Sequence, residues 1–169
     1  PSTMSSRMLA ASVSRTGSAG RAANCTNNLA QWASSCARRR LPRNTTAMRV
    51  LGVTVPALRA VAKRLAKELK AATPQAVVAH AQALCDGGTM EGRQVAYEIL
   101  EAHKPAALSL TTTEIERLRV GLGHWASVDS FAASVAGPAW RRGQLPDALV
   151  DRWAASPDRF VRRLALVCT

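Results

Sequence analysis

Aromatic side chains make up only 4% of this 169-residue chain: four Trp, two Phe and one Tyr. A β-sandwich leans on β-branched and aromatic residues, so their scarcity argues against one. The dominance of Ala, Leu and Val favours closely packed helices instead. No apolar run approaches the ~20 residues that span a bilayer. The four cysteines, Cys25, Cys36, Cys85 and Cys168, form no CxxC pair and no zinc-finger spacing, and the three histidines are scattered. They read as reduced thiols, with no metal site and no cofactor. No Ser-His-Asp triad, Walker loop or Rossmann glycine fingerprint is present, and Gly-Leu-Gly at 121–123 is too short to count as one. Hydrolase, NTPase and dehydrogenase readings built on those motifs therefore find no support. Acid is missing over the longest stretch: the first carboxylate in the chain is Glu68.

What the chain does have is positive charge. It carries 23 Lys plus Arg against 11 Asp plus Glu, a formal net charge of +12. Such an excess suits a polyanionic partner, with nucleic acid preferred over an acidic protein or a merely basic soluble chain. Residues 1–24 are rich in Ser, Ala and Arg, the composition of an organellar transit peptide or of a disordered basic arm. The organisation expected is a flexible basic segment over 1–26 and a helical domain over 27–169. The compartment expected is intracellular.

Every well-patterned segment reads as helix. Leu29, Trp32, Ala33 and Cys36 form a stripe over 27–39. Pro56 sits in the first turn of a helix over 56–71, with Leu58, Val61, Ala62, Leu65 and Leu69 on one face and Arg59, Lys63, Lys67 and Lys70 on the other. Thr73-Pro74 opens a helix burying Val77, Val78, Ala81, Leu84 and Cys85. Residues 90–103 come next, closed by Lys104-Pro105. Thr113 and Glu116 are read as a capping box. A helix over 125–136 is expected to stop at Gly137-Pro138. Pro146 opens a helix with Leu149, Val150 and Trp153, and Ser156-Pro157 opens the last, with Phe160, Leu164 and Val167. Short sequential helices predict an all-α fold, a helical bundle or an α-solenoid of antiparallel pairs. A solenoid normally ends on a repeat with a polar outer face, so truncation at the C-terminus is a further expectation.

The stretch HWASVDSF, 124–131, sets an indole and a carboxylate one helical turn apart. On a helix Val128, Phe131, Ala132 and Val135 share the core face. Trp125 and Asp129 lie about 40° apart on its flank. There a carboxylate is partly desolvated yet reachable, which suits a group acting on a bound cation. The bland alternative is an Asp serving the helix dipole beside a core Trp.

Four segments in order, GVTVPALRAVAKRL (52–65), EGRQVAYEIL (91–100), WASVD (125–129) and WAASPDRFVRRLALV (153–167), resemble the DNA alkylation repair family of AlkD-type DNA glycosylases, over roughly residues 29–167. The resemblance implies a solenoid of HEAT-like antiparallel helix pairs, continuing beyond Thr169, with a basic concave face for duplex DNA. It also implies excision of N-alkylated purines such as 3-methyladenine and 7-methylguanine. It assigns catalysis to Asp129 and Trp125, with Arg163 holding the DNA backbone beside the Asp. Trp153 is assigned to packing. Phe160 stands where the family often has Trp, and Ala126 where its best-known members have Asp. Candidate phosphate contacts are Arg59, Lys63, Arg141, Arg142 and Arg162; for Arg59 a solvated face is an equal alternative. The expected species is a monomer that binds alkylated duplex DNA, with no metal and no membrane.

The chemistry fits those residues. A cationic alkylpurine departs as a neutral base, so the protein need only stabilise the sugar as positive charge builds on it. A fixed carboxylate does this, and an aromatic face adds about 0.5–2 kcal/mol. Two other readings stand beside this one: a non-catalytic HEAT-like nucleic-acid-binding module and a protein-interaction solenoid.

Overall fold

The computed structural model describes residues 48–169. The basic segment of 1–26, the helix of 27–39 and Cys25 and Cys36 lie outside the described residues. What is described falls within one compact unit.

The first helix, α1 (Val55–Glu68), carries Pro56 in its first turn, where a missing N–H costs nothing. It buries Leu58, Ala62 and Leu65, and leaves Arg59, Lys63 and Lys67 in solvent. Helix α2 (Pro74–Asp86) is capped by the Thr73 hydroxyl, which accepts from the Ala76 N–H. Helix α3 (Met90–Ala102) is capped in the same way by Thr89, accepting from Gly92. Lys104-Pro105 was expected only to close α3, but it also opens a short helix, α4 (Lys104–Ser109), whose cap is the His103 ring. The proline that cannot continue one helix is well suited to the first turn of the next.

Helix α5 (Thr112–Arg119) begins two residues earlier than expected. Its capping box is Thr111 with Glu114, not Thr113 with Glu116. Glu116 instead accepts from the Trp153 indole N–H at 2.8 Å and from Arg119. Trp153 is only 3% exposed. Helix α6 (Trp125–Phe131) runs into a π-helical turn, Ala132–Ala136, and on into α7 (Gly137–Arg141). The stop expected at Gly137-Pro138 is thus overturned. The Gly137 N–H reaches back five residues to the Ala132 carbonyl, and the widened turn moves the preceding carbonyls clear of the Pro138 ring. Helix α8 (Asp147–Ala154) begins just after Pro146, and α9 (Arg159–Cys168) is capped by Asp158. In α9 the buried face is Leu164, Ala165 and Cys168; Val167, expected inward, is 43% exposed.

Among the described residues there is no strand, only an isolated bridge between Arg49 and Thr89. The architecture is all-α and solenoid-like. Helix α2 pairs with α3 and α8 with α9, while α1, α3, α6 and α9 stand side by side in that order. Helix α3 is at the centre, covered by α1, α2, α4, α6 and the π turn. Its Val95, Ala96, Tyr97, Ile99 and Leu100 are all almost fully buried. The Tyr97 and Phe131 rings meet at 5.2 Å and 51°, a tilted contact worth about 0.5–1.5 kcal/mol beyond the area it buries. Cys85 and Cys168 are free thiols in this core, and burial pushes the Cys85 thiol up to about 11.

Two buried charges in the first turn of α3 organise its surroundings. Glu91 accepts from the backbone N–H groups of Leu51 (2.9 Å) and Gly52 (2.8 Å), pinning the segment that enters α1. Arg93, 5% exposed, has no carboxylate partner among the described residues. It donates to the carbonyls of Leu118 and Val120 and so caps the C-terminus of α5, where the helix dipole favours a cation. The next residue, Gly121, has φ +79°, and a Cβ there would stand 2.8 Å from the Arg93 guanidinium. Gly137 serves a different need: a Cβ on it would lie 2.9 Å from the carbonyls of Ala132 and Cys168.

Glu91→Gln keeps the shape of the side chain but offers the N–H cluster one acceptor atom instead of two. We expect it to cost about 1–3 kcal/mol, read as a lower urea midpoint at constant m-value. An unchanged midpoint would mean that the carboxylate does not hold the segment that enters α1.

Candidate functional site

The candidate site sits where α6 packs against α9. Helix α6 is short, and its start is set by His124, whose Nδ1 accepts from the Ala126 N–H at 3.2 Å. Ser127, Val128 and Phe131 turn into the core, as do Ala132, Val135 and Ala136 of the following turn. The flank left open carries Trp125, which is 57% exposed, and Asp129, which is half-buried. Indole and carboxylate therefore lie on the border between core and solvent expected from the helical spacing.

Helix α9 brings Arg163 onto the same border. Its Nε donates to Asp129 Oδ1 at 2.6 Å and its Nη2 to Oδ2 at 2.7 Å. This is a two-pronged ion pair between groups 34 residues apart in sequence, with both side chains part-exposed. Hydrogen bonding to Arg163 holds the Asp129 carboxyl below the ordinary aspartate range, against the opposing effect of burial, and Coulomb attraction to the same guanidinium adds to it. Arg163 is shifted up by the same contact. An exposed pair contributes little to stability. Its consequence is chemical: the carboxylate stays ionised and fixed in orientation.

The other candidate cations are dispersed. Arg162 is tied to the Ser156 and Pro157 carbonyls of the α8–α9 turn. Arg142 faces Gln144 and the Ala107 carbonyl of α4. The exposed Arg141 lies within 3.4 Å of where a Cβ on Gly137 would stand. Arg59 and Lys63 line an open groove of about 560 Å³ between α1, α3 and the π turn, which also contains Glu98, Glu101 and Ser134. Those two acids face the same space as the two cations, a mixture that position along α1 could not reveal. Ser134 donates to Glu101 at 2.8 Å, so the acid side of the groove is itself tethered.

Sequence reasoning missed His124. It lies before the indole at a helix start, but histidine is not among the residues that advertise an N-cap. Its ring is 5.5 Å from the Trp125 ring, at 34°. No group of three or more His, Cys, Asp or Glu among the described residues is placed to hold a metal, and no helix among them is long and apolar enough to cross a membrane.

The sign of the Asp129 shift fixes a pH prediction. A carboxyl with a lowered folded-state pKa contributes stability that is present above its unfolded pKa and lost as pH falls through the lower folded value. Arg163→Gln removes the cause, so in a carboxyl NMR titration the Asp129 midpoint should rise toward that of an ordinary aspartate. A midpoint that does not move would break the assignment of the shift to Arg163.

Comparison with known proteins bears on the family to which the chain belongs. No curated protein and no solved structure matches the chain. The model of one family, described as DNA alkylation repair enzyme, matches residues 17–169. The matched stretch contains α1 through α9 and with them Trp125, Asp129 and Arg163. The chain belongs to the DNA alkylation repair enzyme family.

Proposed function

We propose that the protein is a DNA glycosylase that removes cationic N-alkylated purines, such as 3-methyladenine and 7-methylguanine, from duplex DNA. The observation that carries this reading is the Asp129–Arg163 ion pair at the rim of α6 and α9, with an exposed indole one turn earlier. In the proposed reaction the C1′–N bond breaks with both electrons going to the purine, which leaves neutral. Positive charge builds on the sugar, and Asp129 stabilises it. Water then adds to C1′ and gives up a proton, with Asp129 as the nearest base, leaving an abasic site. Arg163 keeps Asp129 ionised and aimed. Each carboxylate oxygen accepts one N–H from the arginine and retains lone-pair capacity for the sugar or the water. The indole of Trp125 offers its face to the same sugar.

Affinity for DNA is assigned to Arg163, Arg162, Arg141, Arg142, Arg59 and Lys63 through phosphate contacts. The proposal includes action as a monomer, without metal or other cofactor, inside the cell. The exposure of Trp125 and the part-exposure of Asp129 suit a mechanism that works from the sugar side without drawing the base into a cavity. A second reading, a module that holds DNA without chemistry, is favoured by one observation: Arg163 occupies both oxygens of Asp129.

Release of 7-methylguanine from methylated duplex DNA separates the two. The wild-type chain should release free base, and Asp129→Asn should lower the single-turnover rate by at least ~100-fold with the helical circular dichroism unchanged. Undiminished release by that variant would remove Asp129 from the mechanism, and no release by the wild type would leave the holding module. Affinity for an undamaged duplex should fall by ~10-fold or more between 50 and 200 mM salt. A flat salt dependence would dismiss the phosphate contacts.

A further inference from the structure

The three described tryptophans are held in different ways. Trp140 donates its indole N–H to Asp147 at 2.8 Å, and Trp153 donates its own to Glu116 at the same distance. Trp125 has no such tether among the described residues. It is the first residue of α6, so no earlier helical turn supports it, and it is 57% exposed. An indole in that position would sample several rotamers, and a face offered to a substrate has to be held in one.

His124 is placed to hold it. The segment leading to it is anchored from behind: Arg93 grips the Leu118 and Val120 carbonyls, and Leu122 is buried. His124 then makes two contacts. Its Nδ1 accepts from the Ala126 N–H and fixes where α6 begins. Its ring stands 5.5 Å from the indole at 34°, and it is the only aromatic neighbour of Trp125 among the described residues. The cap needs a lone pair on Nδ1, so the ring proton is on Nε2. In that state the cap bond also fixes the plane of the imidazole that backs the indole.

We propose that His124 is a positioning residue: one imidazole caps α6 and holds the exposed Trp125 ring against the Asp129 flank. Ser, Thr, Asn or Asp caps a helix as well as or better than His, but none of them has a ring. Histidine is needed here for its ring, and the cap is what keeps the ring still. The kinetic consequence rests on the proposed glycosylase reading; the structural one does not.

Asn is a strong N-cap, so His124→Asn keeps the cap and removes only the ring. With 5-fluorotryptophan incorporated and the Trp125 resonance identified through Trp125→Phe, His124→Asn should move that resonance toward the position of the free amino acid and narrow it. The resonances of Trp140 and Trp153 should stay in place. An unmoved Trp125 resonance overturns the proposal whether or not the protein releases base. For base release, His124→Asn should lower the maximal rate about 10-fold while duplex affinity stays within about twofold. Combined with Trp125→Ala, it should slow the reaction no further than Trp125→Ala alone, because the histidine acts through the indole. Additive losses would overturn the proposal by giving His124 a role independent of Trp125. If the wild type releases no base, the glycosylase reading fails and the fluorine resonances alone decide the role of His124.

Discussion

Helix α3 is buried on nearly every side, and its first turn carries two charges that are almost wholly shielded from solvent. An unpaired buried charge is severely unfavourable, so each must find partners in neighbouring segments. Glu91 finds them in the N–H groups of 51–53, and Arg93 in the carbonyls that end α5. The two residues are not paired with each other. Glu91 ties the central helix to the stretch that enters α1, and Arg93 ties it to the turn that leaves α5. The consequence reaches the candidate site, because the turn that Arg93 holds at Gly121 leads within a few residues to the start of α6.

At the site itself a weak interaction has a specific use. The Asp129–Arg163 pair is part-exposed and contributes little to folding. It supplies a carboxylate that remains charged and points in one direction, held by a guanidinium from a different helix. Its geometry depends on the packing of α6 on α9. That packing depends in turn on the close approach at Gly137 and on the π turn that carries the chain past Pro138. A π turn within one helical stretch of a candidate catalytic carboxylate matches the tendency of such turns to occur near functional sites.

Much of this was readable in advance where the signal was periodic. The core face of 128, 131, 132 and 135, the flank position of Trp125 and Asp129, and the buried stripes of α1 and α2 all arise from side chains repeating at the helical period. The errors fall where two local signals compete. Lys104-Pro105 is both a helix end and a helix start, and only the neighbouring His103 ring decides that it is both. Thr111 and Thr113 each have a glutamate three residues on, and the choice went to Glu114 because Glu116 is taken by Trp153 and Arg119. Gly137-Pro138 carries a strong stop signal, yet packing against α9 keeps the helix going.

The sequence by itself determined the class of fold, the faces of the helices and the residues available for chemistry, because helical periodicity and residue type are local properties. The tertiary structure decided that Arg163, which the family resemblance sets beside Asp129, grips both carboxylate oxygens directly: Arg162 and Arg163 are adjacent in sequence, and the seating of α9 on α6 turns one to the carboxylate and the other to its own turn. It also decided that Arg59 and Lys63 share a groove with Glu98 and Glu101. Contacts between residues far apart in the chain leave no local mark on either partner, because each is equally at home on an exposed helical face until packing brings the faces together.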